Sequence, residues 1–140
     1  MAKKITQNDQ ILIYQTRDGN TQIDVRIENE TVWLNAEQMA LLFERDSKTI
    51  RKHIDNAIKE ELAGDVVVAK FATTTQHGAI KGKTQTKEVN YYNLDVIISV
   101  GYRVKSKRGV LFRQWANKIL KEYLVKGFAI NNNVAALKYN

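Results

Sequence analysis

Two helix-like runs separated by only three residues constrain the fold of this chain more than any other feature. The stretch "MALLFERDSKTIRKHIDNAI", from Met39 to Ile58, starts with an apolar run, breaks at a polar interruption and resumes with helical apolar spacing. Because the connection is so short, the two helices must pack directly on each other. The pair is either an ordinary αα-hairpin or a helix-turn-helix whose second helix enters a DNA groove.

The ends of both helices are marked by capping residues. Asn35 is an expected N-cap, and Gln38 three residues later completes a capping box, which predicts a first helix ending at about Phe43. The second helix is predicted to start near Ser47 and to stop before Gly64.

The second helix has an apolar side and a polar side. Ile50, Ile54 and Ile58 fall together, and with Met39 and Phe43 they occupy the positions that a helix-turn-helix needs for its core. On the opposite side and its flanks lie the residues that we predict to contact DNA, which are Ser47, Lys48, Thr49, Arg51, Lys52 and Asn56. The turn is atypical, because Glu44 takes the usual glycine position and Arg45 the usual apolar one.

Strand-like segments flank the helix pair. Before it, β-branched and aromatic residues split by turns at Asp18-Gly19 and at 28–30 predict a three-stranded meander. After it, two β-rich arms around "HGAIKG" predict a long hairpin at the place where a winged helix carries its wing. The hairpin residues expected near phosphates are His77, Lys81, Lys83 and Lys87.

The last third of the chain changes to a helical period. "LDVIISV" after Asn93 predicts a short helix, and "SKRGVLFRQWANKILKEYLVKG" predicts a longer one that ends at Gly127. Trp115 falls on the apolar stripe of the longer helix, which favours a core role over base stacking. Between the helices lies a basic segment without acids, and its predicted phosphate contacts are Arg103, Lys105, Lys107 and Arg108.

Composition favours a polyanionic partner and gives little support to an enzyme. The 140 residues carry a formal net charge of +7 and no cysteine, so thiolate metal sites and disulfides are excluded. His53 and His77 lack metal-ligand spacing, and no serine lies in a nucleophile elbow. "GAIKGKT" resembles a P-loop but is one residue short and precedes a strand-like segment rather than a helix. We therefore expect no catalytic residue, metal or cofactor, and the absence of an apolar leader or span predicts a cytoplasmic location.

The chain also resembles a known family. "LFERDSKTIRKHIDNAIKEEL", "AKFATTTQ" and "YYNLDVIISVGYRVKSKRG" followed by "FRQWA" are similar to the RhuM family, bacterial proteins first named as virulence factors of pathogenicity islands. The order of hairpin and "FR.W" is similar, more loosely, to the N-terminal domain of viral BRO and phage antirepressor proteins, which binds DNA. Some RhuM relatives carry a Fic-type transferase domain, whose motif is absent from this chain.

These observations predict an α+β, winged helix-turn-helix-like domain at residues 11–128, with a disordered tail at 1–10 and the start of an extension or linker at 129–140. Its expected function is to bind duplex DNA as a regulator linked to transcription or to mobile elements. The alternative is an antirepressor-like protein-interaction module, or the N-terminal adaptor of a Fic-type effector. A second copy of the chain and a fused or separate effector domain stay open as partners, and no membrane is expected.

Overall fold

The computed structural model describes residues 10–76 and 84–127. The predicted N-terminal tail, except Gln10, and the predicted extension at 129–140 lie outside these residues. Within them the fold is α+β, with five antiparallel strands and four helices. The coarse fold class predicted from the sequence is confirmed.

The strands and helices follow the predicted order closely. The elements are β1 (Gln10–Gln15), β2 (Gln22–Glu28), β3 (Thr31–Asn35), α1 (Ala36–Phe43), α2 (Ser47–Glu60), β4 (Val68–Gln76), β5 (Thr84–Asn93), α3 (Leu94–Arg103) and α4 (Arg108–Lys126). The expected meander is β1 to β3, the expected hairpin arms are β4 and β5, and Gly127 ends α4 in a left-handed conformation.

Turn chemistry sets the meander. The loop between β2 and β3 is the pair Asn29 and Glu30, both at positive φ, which matches the right-handed twist of a two-residue hairpin. Gly19, at φ +79°, lies in the turn between β1 and β2. Both turns occur where the sequence predicted them.

The strand order in the sheet is β1-β2-β3-β5-β4. β3 therefore pairs with β5 rather than with the strand that follows it next in the chain, and α1 and α2 form the connection between β3 and β4. This pairing brings the end of the meander and the base of the hairpin into one sheet beside the helix pair.

The main core lies between one face of the sheet and the helices. Alternate residues of the first three strands point into it, among them Val25 and Leu34, and all four helices contribute buried side chains. Phe112 and Ile119 of α4 are buried there, and Trp115 packs at its margin with its ring centroid 5.0 Å from that of Tyr14. The predicted core role of Trp115 is confirmed at this edge position.

The opposite face of the sheet carries a smaller aromatic cluster. Trp33, Phe71 and Tyr91 are buried together, with edge contacts between neighbouring rings. The Arg26 guanidinium carbon lies 4.3 Å from the Phe71 ring centroid, so a cation–π contact across the sheet holds β2 against the hairpin base.

Candidate nucleic-acid interface

The turn between α1 and α2 is tight and is held by backbone and side-chain hydrogen bonds. Glu44 adopts the left-handed conformation, φ 56° and ψ 49°, that glycine usually supplies at this position, and its N–H donates to the Ala40 carbonyl. Arg45, which stands at the usual apolar position, is exposed and donates to the carbonyl oxygens of Phe43 at 3.0 Å and Val104 at 2.8 Å. Arg45 thus stabilises the turn by hydrogen bonds instead of burial.

Both helices of the pair begin with a side-chain cap. Asn35 accepts from the Gln38 N–H at 2.8 Å while the Gln38 side chain accepts from the Asn35 N–H at 2.9 Å, so the predicted capping box is confirmed. Asp46 caps α2 by accepting from the hydroxyl and the N–H of Thr49. These two hydrogen bonds are the main reason that the pKa of Asp46 lies below its usual value.

The core anchors predicted for the pair are buried. Met39, Phe43 and Ile50 are fully buried, Ile54 is almost fully buried, and Ile58 packs at the edge of the core. This burial fixes which side of α2 faces outward.

The outward side of α2 holds the residues predicted to contact DNA. These residues differ in their exposure and in the protein groups that they bind. Lys48, Arg51 and Lys52 are exposed, and Ser47, Thr49 and Asn56 are half-buried. Arg51 forms an ion pair with Glu37 of α1, and the Thr49 hydroxyl is occupied by the Asp46 cap. Lys48 and Lys52 are therefore the two cations on this side that are best placed to bind a ligand.

The basic segment around the α3–α4 connection divides into two kinds of residue. Arg103 donates to Glu61 at 2.6 Å and to Glu60 at 3.1 Å, and these bonds, that to Glu61 first, raise its pKa. Arg108 donates to the carbonyl oxygens of Leu41 and Leu42 and also pairs with acidic side chains.

Lys105 and Lys107 differ from these two arginines. Both are exposed, Lys105 has a left-handed backbone, and Lys107 precedes α4 without a side-chain cap bond. Of the four residues predicted to contact phosphates in this segment, the two lysines are exposed to solvent. The two arginines bind acceptors within the protein instead.

Hydrogen bonds bring the α3–α4 connection beside the turn between α1 and α2. Arg45 donates to the Val104 carbonyl, and Arg108 donates to carbonyls in the last turn of α1. Lys105 and Lys107, which lie between Val104 and Arg108, are thereby brought toward the α1–α2 turn, although about sixty residues of chain separate them from it.

The hairpin arms follow α2 as predicted, but the tip lies outside the described residues. His77, Lys81 and Lys83 belong to that tip, so their predicted role stays a prediction. Lys87 lies on β5, where it pairs across the ladder with Thr73, and it is exposed.

Sequence reasoning missed the acids that organise this surface, including the Asp46 cap of α2. Glu60 and Glu61 bind Arg103 from the end of α2, and Asp18 binds Arg108 from the β1–β2 turn. These partners lie more than forty residues away in the chain, and no local pattern indicates them. Asp46, by contrast, was visible as an N-cap residue directly before the predicted helix start.

Within residues 10–76 and 84–127, no group of three or more His, Asp or Glu side chains is arranged to hold a metal ion. Over the same residues, no helix has the length and apolar content that crossing a bilayer requires.

Comparison with known proteins supports the resemblance noted from the sequence. Residues 66–139, more than half of the chain, match the model of the virulence protein RhuM family. The matched part takes in the hairpin, α3 and α4, whereas α1 and α2 precede it. No curated protein and no solved structure matches the chain significantly. The match, over the segment that carries "YYNLDVIISVGYRVKSKRG", shows that the chain belongs to the virulence protein RhuM family.

Proposed function

We propose that this chain is a non-catalytic module that binds duplex DNA in the manner of a winged helix, with α2 as the recognition helix. The observation that carries the proposal is the unit β3-α1-α2-β4-β5, in which β3 pairs with β5 beside the hairpin. A strand, two helices and a strand pair closed in this way form the core of winged-helix domains. The left-handed residue in a tight turn between the helices supports the same reading.

The outward side of α2 suits a major groove. It carries Lys48 and Lys52 as exposed cations, and Asn56, one turn beyond Lys52, offers an amide of the kind that pairs with adenine. The first residues of a recognition helix make most base contacts, which places Ser47 and Lys48 nearest the bases. Arg51 can contact a phosphate while staying close to Glu37, because its side chain is about half exposed.

In this proposal Lys105 and Lys107 form a second contact, with the phosphate backbone of the DNA. They stand beside the α1–α2 turn because Arg45 and Arg108 bond across that junction. In this proposal Arg103 and Arg108 position the junction rather than touching DNA, since their guanidinium groups already serve protein acceptors. Lys87, on the hairpin that follows α2, supplies a further phosphate contact, and the predicted contacts at 81 and 83 lie outside the described residues.

The test is a selection of bound sequences from a random duplex pool at physiological salt, followed by anisotropy titrations from about 50 to 200 mM salt. We expect enrichment of one sequence motif and an affinity that falls steeply with salt, because released counterions drive phosphate binding. A protein that shows neither enrichment nor salt-dependent binding contradicts the proposal. Replacing Lys118 and Lys121, two exposed lysines of α4, by alanine provides a charge-matched control that should change neither result.

A further inference from the structure

Helix α3 carries an apolar ridge that the fold leaves in water. Ile98 and Tyr102 are four residues apart and so lie on the same side of the helix, with 37% and 86% of their surfaces exposed. A tyrosine ring exposed to this degree beside an exposed isoleucine is a large apolar group without a partner among the described residues. Such surfaces mark interaction sites.

A groove lies on each side of this ridge. Between α3 and α4 is a hollow of about 400 Å³ that is lined by the ridge itself, by Val110 and by the glycines Gly101 and Gly109. Between α2 and α3 is a second hollow of about 350 Å³, also lined by Ile98 and Tyr102. The same surface therefore presents both a projection and a recess of side-chain size.

The two glycines allow α3 and α4 to approach each other closely. A Cβ placed on Gly101 would lie 3.6 Å from the Gly109 Cα and 3.1 Å from the ring of the buried Phe43, so a larger residue would force these elements apart. Gly101 and Gly109 therefore contribute only backbone atoms to the lining of the groove.

The grooves carry opposite charge. Lys105 and Arg113 line the α3–α4 groove, with no acid among its lining residues. Glu61 and Asp95 line the α2–α3 groove; Arg103 already binds Glu61 at 2.6 Å, which leaves Asp95 as the acid that a partner would meet. A partner whose surface carries charge of one sign would be attracted to one groove and repelled by the other. A second copy of this chain carries charge of both signs, one on each side of α3.

We propose that this α3 surface is the contact between two copies of the chain. In a face-to-face pair, a two-fold axis that runs along α3 exchanges its left and right flanks, so each copy's acidic groove meets the other copy's basic groove. The ridges of the two copies then pack against each other along the axis, and Asp95 of each copy lies on the side of α3 that faces Arg113 of its partner. The inference does not depend on the proposed DNA binding, and its test contains no DNA.

The first measurement is sedimentation equilibrium of the full chain over protein concentrations up to about 1 mM, the weak end of specific association. We expect a reversible monomer–dimer equilibrium. Replacing Ile98 and Tyr102 together by serine should weaken dimerisation by at least about thirtyfold, which corresponds to the loss of one contact residue of hot-spot strength. The thermal midpoint of the diluted, monomeric variant should be unchanged, because neither side chain fills the core.

Val125→Ser is the matched control, since Val125 is 83% exposed at the far end of α4 and should leave the equilibrium unchanged. Charge reversal supplies a second, independent variant set. Asp95→Arg and Arg113→Asp should each weaken the dimer, and the double variant should recover it.

A wild-type chain that stays monomeric at every concentration overturns the proposal. So does a dimer that loses no affinity with the serine pair, or that Val125→Ser weakens equally, because the contact would then lie elsewhere. Failure of the double charge variant to recover affinity overturns the proposed orientation of the two copies.

Discussion

Helix α2 and the segment 103–108 each carry four basic residues, yet the fold uses their charges in different ways. On α2, Lys48 and Lys52 project from an exposed side. In the segment 103–108, Arg103 and Arg108 are bound by acids and carbonyl oxygens from distant parts of the chain, with about 18% of each side chain exposed. The comparison teaches that the cations of a basic stretch are available to bind phosphates only where the fold brings no acceptor to them.

The largest effect on DNA affinity is expected from α2. Replacing Lys48 and Lys52 by alanine should lower the affinity about tenfold to a hundredfold at fixed salt, because groove and phosphate contacts are lost together. The thermal midpoint should stay the same, since both side chains are exposed. Anisotropy titration and thermal unfolding on the same samples measure both quantities.

The alanine pair at Lys118 and Lys121 is the control for that experiment, because it removes the same charge from α4. If it reduces affinity as much as the α2 pair does, net charge governs binding and α2 is not the recognition helix.

A smaller effect should come from the α3–α4 connection. Replacing Lys105 and Lys107 by alanine should lower affinity about equally for all duplex sequences and flatten the salt slope by about two units, as two lost phosphate contacts require. Because Lys105 also lines the α3–α4 groove, the oligomeric state of the variant must be measured alongside. A changed sequence preference would place these lysines at base edges instead.

Local signals in the sequence were sufficient for the elements themselves. The Asn35 capping box, the caps at Asn93 and Gly127 and the two meander turns each depend on residues within a few positions, so element types and most ends could be predicted. The burial of Ile50 and Ile54 also followed, because their spacing defines one side of a helix.

What the sequence could not provide are interactions between residues distant in the chain. The β3–β5 pairing depends on how the helix pair folds back over the sheet, and the partners of Arg103 come from the end of a different helix. The exposure of Tyr102 was equally hidden, because no local pattern shows which side of α3 the rest of the fold covers. The sequence could thus identify the basic residues of the 103–108 segment. It could not show which of them are available to contact DNA and which stabilise the fold.

Arg103 tests that distinction directly. Arg103→Ala should lower the thermal midpoint, because Glu60, Glu61 and the Ser99 hydroxyl lose a shared donor where α2 meets α3. The affinity of the folded fraction for DNA should stay near that of the wild type. Thermal unfolding and anisotropy at a temperature well below the midpoint separate the two effects, and an affinity loss without a stability loss would make Arg103 a DNA contact.

The smallest effect should appear as a pH dependence of the same junction. The hydrogen bond from Arg103, and then that from Ser99, holds the pKa of Glu61 below its usual value of 4.5. A depressed pKa means that the contribution of Glu61 to stability is complete above pH 4.5 and is lost as the pH falls through the folded-state pKa. Glu61→Gln should therefore unfold at a lower temperature than the wild type at neutral pH, and the difference should shrink as the pH falls below 4.5. Asp18 and Asp46 also have lowered pKa values, so both proteins lose stability in acid and only the difference between their midpoints reports on Glu61. If that difference is constant with pH, the carboxylate charge of Glu61 contributes nothing, and the α2–α3 junction depends on packing alone.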